Sequence, residues 1–177
     1  MQYITSYASP LGGITLASYG EALIGLWFDG QKYDRSLLRG EWEEKALPVF
    51  TETADWLDCY FGGIEPDFTP ALALNCSAFR REVLEILQRI PYGQTTTYGA
   101  IAAEIAKKHG LSKMSAQAVG GAVGRNPISL IIPCHRVVGT DGSLTGYGGG
   151  IQRKIALLKL ERVNMDALYV PRKGTAL

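Results

Sequence analysis

The chain has 177 residues, 46% hydrophobic and 20% charged, with a formal net charge of +1. This composition excludes a disordered tail, a collagen and a coiled coil, and it supplies a core for one medium domain or two small ones. No apolar run approaches the roughly 20 residues of a membrane span. The start, MQYITSYASPLGG, lacks the basic residues and apolar run of a signal peptide, so a cytoplasmic protein with no membrane partner is expected.

The strings YITSYASP, GGITLASYG and ALIGLWFD predict short strands of a meander, with turns at residues 10–13 and 19–20. PVFTETADWLDCYF repeats apolar residues at helical spacing and stops at Gly62 and Gly63. The Pro-containing stretch GIEPDFTPALALNC is the expected junction between a domain of residues 1–70 and one of residues 77–170. A helix is predicted after the cap Ser77, with Phe79, Val83, Leu84, Leu87 and Ile90 on one face, ending at Pro91-Tyr92-Gly93. TTTYGAIAAEIAKKHG predicts a Thr-capped helix, and SAQAVGGAVGRN a short one rich in small residues. Two helices joined by a short turn, the second thin, suggest a helix-turn-helix. The glycines of that second helix imply close approach to its backbone, by a groove or by a neighbouring helix. ISLII predicts a buried strand leading to Cys134. The final helix, IQRKIALLKLER, offers Ile151, Ile155, Leu158 and Leu160 to the core.

The small total charge hides a split. Residues 1–75 carry a net −7 and residues 76–177 a net +8. A basic half suggests a polyanionic partner; solvated faces that happen to differ are the alternative. Lys107, Lys113, Arg125 and Arg136 are the basic candidates near a groove, Arg136 alternatively pairing inside the domain.

Three cysteines, Cys59, Cys76 and Cys134, are too few and scattered for a disulfide scaffold. Cys134 stands between Pro133 and the pair His135-Arg136. A thiol attacks as thiolate, and a neighbouring base and cation favour that form. Glu161, closing an apolar helix, is a candidate to orient the histidine. A small buried hydrophobe is the alternative for Cys134, and Cys59 and Cys76 read as structural. Two histidines and no Cys-x-x-Cys argue against a metal site.

The string IPCHRVVG resembles the active-site signature of the O6-alkylguanine-DNA alkyltransferases, or methylated-DNA–protein-cysteine methyltransferases. IPYGQTTTYGAIA, AVGGAVGRNPISLIIPCHRVVG, GYGGG and the helix ending in Glu161 stand in that family's order. The residues before Phe79 carry no signature. The resemblance implies an α+β protein: a small N-terminal β-sheet-plus-helix domain, RNase H-like, then a helical, winged helix-turn-helix-like DNA-binding domain. It implies a repair protein that takes the alkyl group of O6-methylguanine, and of O4-methylthymine, irreversibly onto its own cysteine, once per molecule. The implied partner is double-stranded DNA containing O6-alkylguanine, bound through the minor groove with the damaged base flipped out. The protein would be a monomer with no cofactor and no metal.

Matched motif by motif, the resemblance makes Cys134 the alkyl acceptor and His135 a relay, through water, to Glu161. Tyr98 would bond guanine N3, and Asn126 would tie the helix to the active-site turn. The carbonyls of Cys134 and Val137 would receive the guanine amine, and Tyr147 and Gly148 would form the lid. Thr96, Ala116, Gln117, Arg125 and Arg136 would touch DNA. Many members have Arg where this chain has Gln117, which puts the role of filling the stack in doubt. Two rivals remain: a non-catalytic lesion-binding or regulatory module, against which Cys134 speaks, and a cysteine hydrolase using Cys134, His135 and Glu161.

Overall fold

β1 (Gln2–Ser9), β2 (Gly12–Ser18) and β3 (Leu23–Phe28) form the antiparallel meander expected from the sequence. The structure, a computed structural model, describes residues 1–35 and 38–172. A fourth strand, β4 (Trp42–Glu44), pairs parallel to β1 and completes the order β3-β2-β1-β4. Its three residues are all exposed, so no hydrophobic pattern marks it. β3 is buried along its whole length and β2 over its last five residues. That is the pattern of strands covered on both faces. α1 (Pro48–Phe61) buries Phe50, Leu57 and Tyr60. Proline at its first turn suits the fixed φ there.

The outer edge of β3 is covered twice. Leu23 N–H donates to the Ala71 carbonyl at 2.7 Å, and the Leu23 carbonyl accepts from Ala73 at 2.9 Å. Further along, Leu26 N–H donates to the Pro127 carbonyl and its carbonyl accepts from Ser129, both at 2.9 Å. The chain therefore packs as two units. One holds residues 1–75 together with 127–131; the other holds residues 76–126 and the chain from Ile132 on.

The ISLII run is buried, as expected, but it is not a strand. Ile128 makes an isolated bridge to Leu26, and turns follow. Leu130 sits at φ 69°, a left-handed conformation that breaks any ladder. Five consecutive apolar residues report burial, and burial alone does not choose between strand and turn.

In the second unit, α2 (Ala78–Gln88), α3 (Tyr98–Lys108) and α4 (Ala116–Val123) begin at side-chain caps. Ser77 accepts from Arg80 N–H, Thr97 from Ala100 and Ser115 from Ala118. Each cap is worth about 1 kcal/mol. α3 and α4, joined by residues 109–115, form the expected helix pair. β5 (Thr96–Thr97) and β6 (Val137–Val138) make a two-residue parallel ladder that joins the start of α3 to the end of the Cys134 turn.

α5 (Ile151–Leu160) closes the unit with a rotated face. Lys154, Leu157, Leu158 and Glu161 are buried, an i, i+3, i+4, i+7 stripe. Ile151 and Ile155, expected in the core, are half-buried against Val138, Leu144 and Leu158. Leu160 is likewise half-buried. A hydrophobic count sends Lys154 to solvent and so turns the helix the wrong way. No helix among the described residues is long and apolar enough to cross a membrane.

Candidate active site around Cys134

Cys134 opens a single 3-10 turn, Cys134–Arg136, after the bend at Pro133. The turn, not a continuing strand, sets the directions of Cys134 and His135. Its backbone is fixed at both ends: Cys134 N–H donates to Ile132 O at 2.8 Å, and Val137 N–H donates to Cys134 O. Asn126 Nδ2 donates to Ile132 O at 2.7 Å, clasping the chain on either side of residues 127–131.

His135 is wholly buried, and its Nε2 lies 2.5 Å from Glu161 Oε1. Glu161 is 2% exposed and saturated with donors. Arg136 Nε reaches Oε2 at 2.8 Å, Arg136 Nη2 reaches Oε1 at 3.1 Å, and Gly93 N–H reaches Oε2 at 3.2 Å. Arg136 spends its remaining arm on the Ile90 carbonyl at 2.7 Å and lies over the Tyr92 ring. Arg136 thus makes the internal pairing that the sequence offered as the alternative to a DNA contact. Its guanidinium is committed inside the unit, because the buried Glu161 needs a bidentate partner.

The electrostatics follow from this packing. Burial opposes ionisation of Glu161, but the bonds from His135 and Arg136 outweigh it and hold the carboxyl at about 2. Burial pushes the His135 imidazole below its ordinary value, against the pull of Glu161. His135 is therefore neutral at pH 7. The ionised carboxylate fixes its proton on Nε2, which puts the basic lone pair on Nδ1. Burial also pushes the Cys134 thiol up; the Asn126 amide, the Lys154 charge and two backbone N–H groups pull the other way.

Lys154 is a buried charge beside Cys134 that sequence reasoning did not place in the site. It is fully buried, and its Nζ donates to Val137 O and, at 2.8 Å, to Thr145 O. Burial lowers its ammonium to about 8. A signal existed: Lys154 stands three residues before Leu157 and seven before Glu161 on one helical face.

Tyr98, at the start of α3, donates from Oη to Thr145 O at 3.1 Å, and burial raises its pKa far above the usual phenol value. Gly146 lets the loop pass over it: a Cβ there would sit 2.5 Å from Tyr98 Oη, and its φ of 76° suits glycine. Tyr147 is buried with its ring edge-on to His135 at 6.4 Å. Its hydroxyl has no hydrogen-bond partner among the described residues. A buried orphan hydroxyl costs free energy unless a ligand atom meets it. Gly148 follows, half-buried, and Arg153 Nη1 donates to Gly149 O at 3.2 Å. Cys134, His135, Glu161, Asn126, Val137, Tyr98 and Tyr147 thus belong to one locality with Lys154.

The remaining candidates lie outside it. Ala116 and Gln117 are exposed on the first turn of α4, and Arg125 is exposed just beyond its end. Lys107 and Lys113 flank the turn between α3 and α4, both exposed, and Thr96 is half-buried in β5. A Cβ on Gly121 would meet nothing within 4 Å, and one on Gly120 would make only ordinary contact with Tyr98. Helix–helix crowding therefore does not explain the two glycines. Cys59 and Cys76 are free and half-buried. No group of three or more His, Cys, Asp or Glu that could hold a metal occurs among the described residues.

Two family models match the chain. The 6-O-methylguanine DNA methyltransferase DNA binding domain covers residues 78–163, and the ribonuclease-like domain of the same family covers residues 2–74. The methylated-DNA–protein-cysteine methyltransferase of Mycobacterium tuberculosis is 44% identical over 159 residues, 90% of this chain and 92% of that protein. The protein of that name from Haemophilus influenzae is 38% identical over 163 residues, 91% of this chain and 87% of its own length. Among solved structures, Mycobacterium tuberculosis OGT in complex with DNA is similar with a TM-score of 0.77 and 41% identity, over 90% of this chain and 92% of that one. An O6-methylguanine DNA methyltransferase from Methanococcus jannaschii is similar with a TM-score of 0.62 and 29% identity, over 97% and 99% of the two chains.

Proposed function

The chain belongs to the 6-O-methylguanine DNA methyltransferase family, and from that premise we propose that it repairs DNA by moving the alkyl group of O6-methylguanine onto Cys134. It reacts once, because the thioether formed has no route back to a thiol. The observation that carries the assignment of residues is the buried His135–Glu161 pair, 2.5 Å apart, beside a cysteine that also faces Asn126 and Lys154.

The step balances simply. The Cys134 proton passes to His135 Nδ1, while Glu161 stabilises the imidazolium as it forms. Sulfur attacks the alkyl carbon in line, the S–C bond forms and the C–O6 bond breaks. The electron pair stays on the base, which takes up the proton and leaves as guanine. Tyr98 remains a phenol at any physiological pH, so it can donate to the departing base. The orphan Tyr147 hydroxyl and the carbonyls of Cys134 and Val137 are polar groups suited to a purine edge. Gly148 supplies a backbone N–H for O6. No cofactor is required, since the acceptor is the protein's own sulfur.

A carbon inside stacked DNA cannot reach a buried thiol, so the damaged nucleotide must leave the helix. α4 is thin enough for a minor groove about 6 Å wide. Ala116, Gln117 and Arg125 then meet the duplex, with Thr96 nearby and Gln117 beside the vacated stack. O4-methylthymine presents the same alkyl–oxygen bond and is a second substrate. The protein acts as a cytoplasmic monomer, with residues 1–70 supporting and residues 77–170 carrying the chemistry.

Intact mass after mixing with an oligonucleotide bearing O6-methylguanine tests the assignment. One methylene equivalent should appear on the peptide containing Cys134, and none on Cys134→Ser. Tight binding with no gain of mass would leave only the non-catalytic lesion-binding reading, and release of a hydrolysed product with turnover would favour the hydrolase.

A further inference from the structure

After α5 the chain turns at Arg162 and runs back over the loop that leads to the lid. Val163, Met165 and Leu168 pack on Val138, Leu144 and Leu158. At Tyr169 this returning segment pairs with the 139–144 turn. Leu144 N–H donates to Tyr169 O at 2.9 Å, and Tyr169 N–H donates to Gly142 O at 3.1 Å. The contact is close: a Cβ on Gly142 would lie 2.1 Å from Ala167 O. The Tyr169 side chain then closes the pairing, its hydroxyl donating to Asp141 Oδ2, while Ser143 N–H donates to Asp141 Oδ1 at 3.1 Å.

One residue beyond Leu144 lies Thr145. Its carbonyl is the common acceptor for Tyr98 Oη at 3.1 Å and Lys154 Nζ at 2.8 Å. These two groups are the phenol and the ammonium whose charge state is coupled to Cys134. Where this carbonyl stands decides where both point.

We propose that Tyr169 and Asp141 form a latch that fixes the 139–145 loop and so positions Tyr98 and Lys154 for alkyl transfer, an inference that rests on the function proposed above. Both are positioning residues, since neither touches the reacting atoms. The bonds from Tyr169 and Ser143 hold the Asp141 carboxyl at about 2, so the acceptor is ionised throughout the working range. Tyr169 is 46% exposed; a tyrosine kept at the surface with its hydroxyl engaged in this way does more than fill a core.

The test compares Tyr169→Phe, Asp141→Ala and Asp141→Asn with the wild-type protein. Three readouts are taken: the single-turnover rate of methyl transfer from duplex O6-methylguanine at saturation, the affinity for undamaged duplex, and the melting midpoint. Tyr169→Phe and Asp141→Ala should slow transfer by about three- to tenfold, as expected for one lost hydrogen bond that aims two others. Duplex affinity should not change. Asp141→Asn keeps its oxygen for Ser143 N–H and turns its amide N–H toward the Tyr169 hydroxyl oxygen, which accepts in its place, so both contacts persist and the rate should return to within about twofold of wild type. Wild-type rates in Tyr169→Phe and Asp141→Ala overturn the latch. So does an Asp141→Asn as slow as Asp141→Ala, and so does a loss of rate matched by a loss of duplex affinity. If the wild-type protein gains no methyl group at all, the proposed function fails instead.

Discussion

At Cys134, burial works against the thiolate, while an amide, an ammonium and two backbone N–H groups work for it. The rate of alkyl transfer follows the thiolate fraction, so it should rise with pH through the neutral range. Lys154 sets the upper limit. Its ammonium titrates at about 8, and above that value the nearest buried cation is lost. The profile measured by single-turnover kinetics from about pH 6 to about pH 10 should climb, then flatten or fall beyond about 8. Lys154→Met should slow transfer by about a hundredfold, the scale for losing one preorganised charge. A rate that keeps climbing past pH 9 would rule out this role for Lys154. Glu161 gives a stability prediction. Its folded value of about 2 lies below the ordinary carboxylate value of about 4.3. Its contribution is therefore complete above the ordinary value and is lost as pH falls through the folded one. Glu161→Gln strands the buried Arg136 and should cost about 3 kcal/mol near neutral pH. Denaturant melts should show that gap closing as pH drops from about 4 toward 2. A gap that does not change with pH would mean that the ion pair contributes nothing.

At the scale of elements, α4 carries the sharpest question. Gln117 is exposed on its first turn, shorter than arginine and uncharged. Gln117→Arg should tighten duplex binding and speed repair of O6-methylguanine; unchanged affinity and rate would show that this position does not fill the stack. Four of the helices were legible in sequence by an apolar stripe and α4 by its run of small residues after Ser115, and three have a hydroxyl cap that the structure shows in use. The strands were legible only where they are long. β4, β5 and β6 have two or three residues each, too few for any period to show. The Cys134 turn was hidden for another reason. Pro133 and Leu130 bend a run whose composition reads as strand, and the bend depends on partners in β3, far away in sequence. Glu161 was legible by its place at the end of an apolar helix. Lys154 was not, since a lysine among leucines is ordinarily assigned to water.

Over the whole molecule, the charge is unevenly shared. Residues 76–177 hold a net +8 and residues 1–75 a net −7. Counterions released from phosphates that the basic residues neutralise give a binding constant that falls steeply with salt. Titrations at low and moderate salt should show a loss of about tenfold or more if several phosphates are neutralised. A flat response would point to a partner other than a polyanion. Residues 127–131 have a consequence of their own. They leave the fold of the second unit, hydrogen-bond to β3, and return at Ile132 under the clasp of Asn126. Two peptides made by nicking the backbone once between residues 62 and 76 should therefore stay together on a sizing column, like a belt still threaded through its loop after the buckle is cut. The piece that holds the reactive sulfur, freed in denaturant and refolded alone, would carry Ile128 and Leu130 with nothing to cover them, and should aggregate until the other piece is returned.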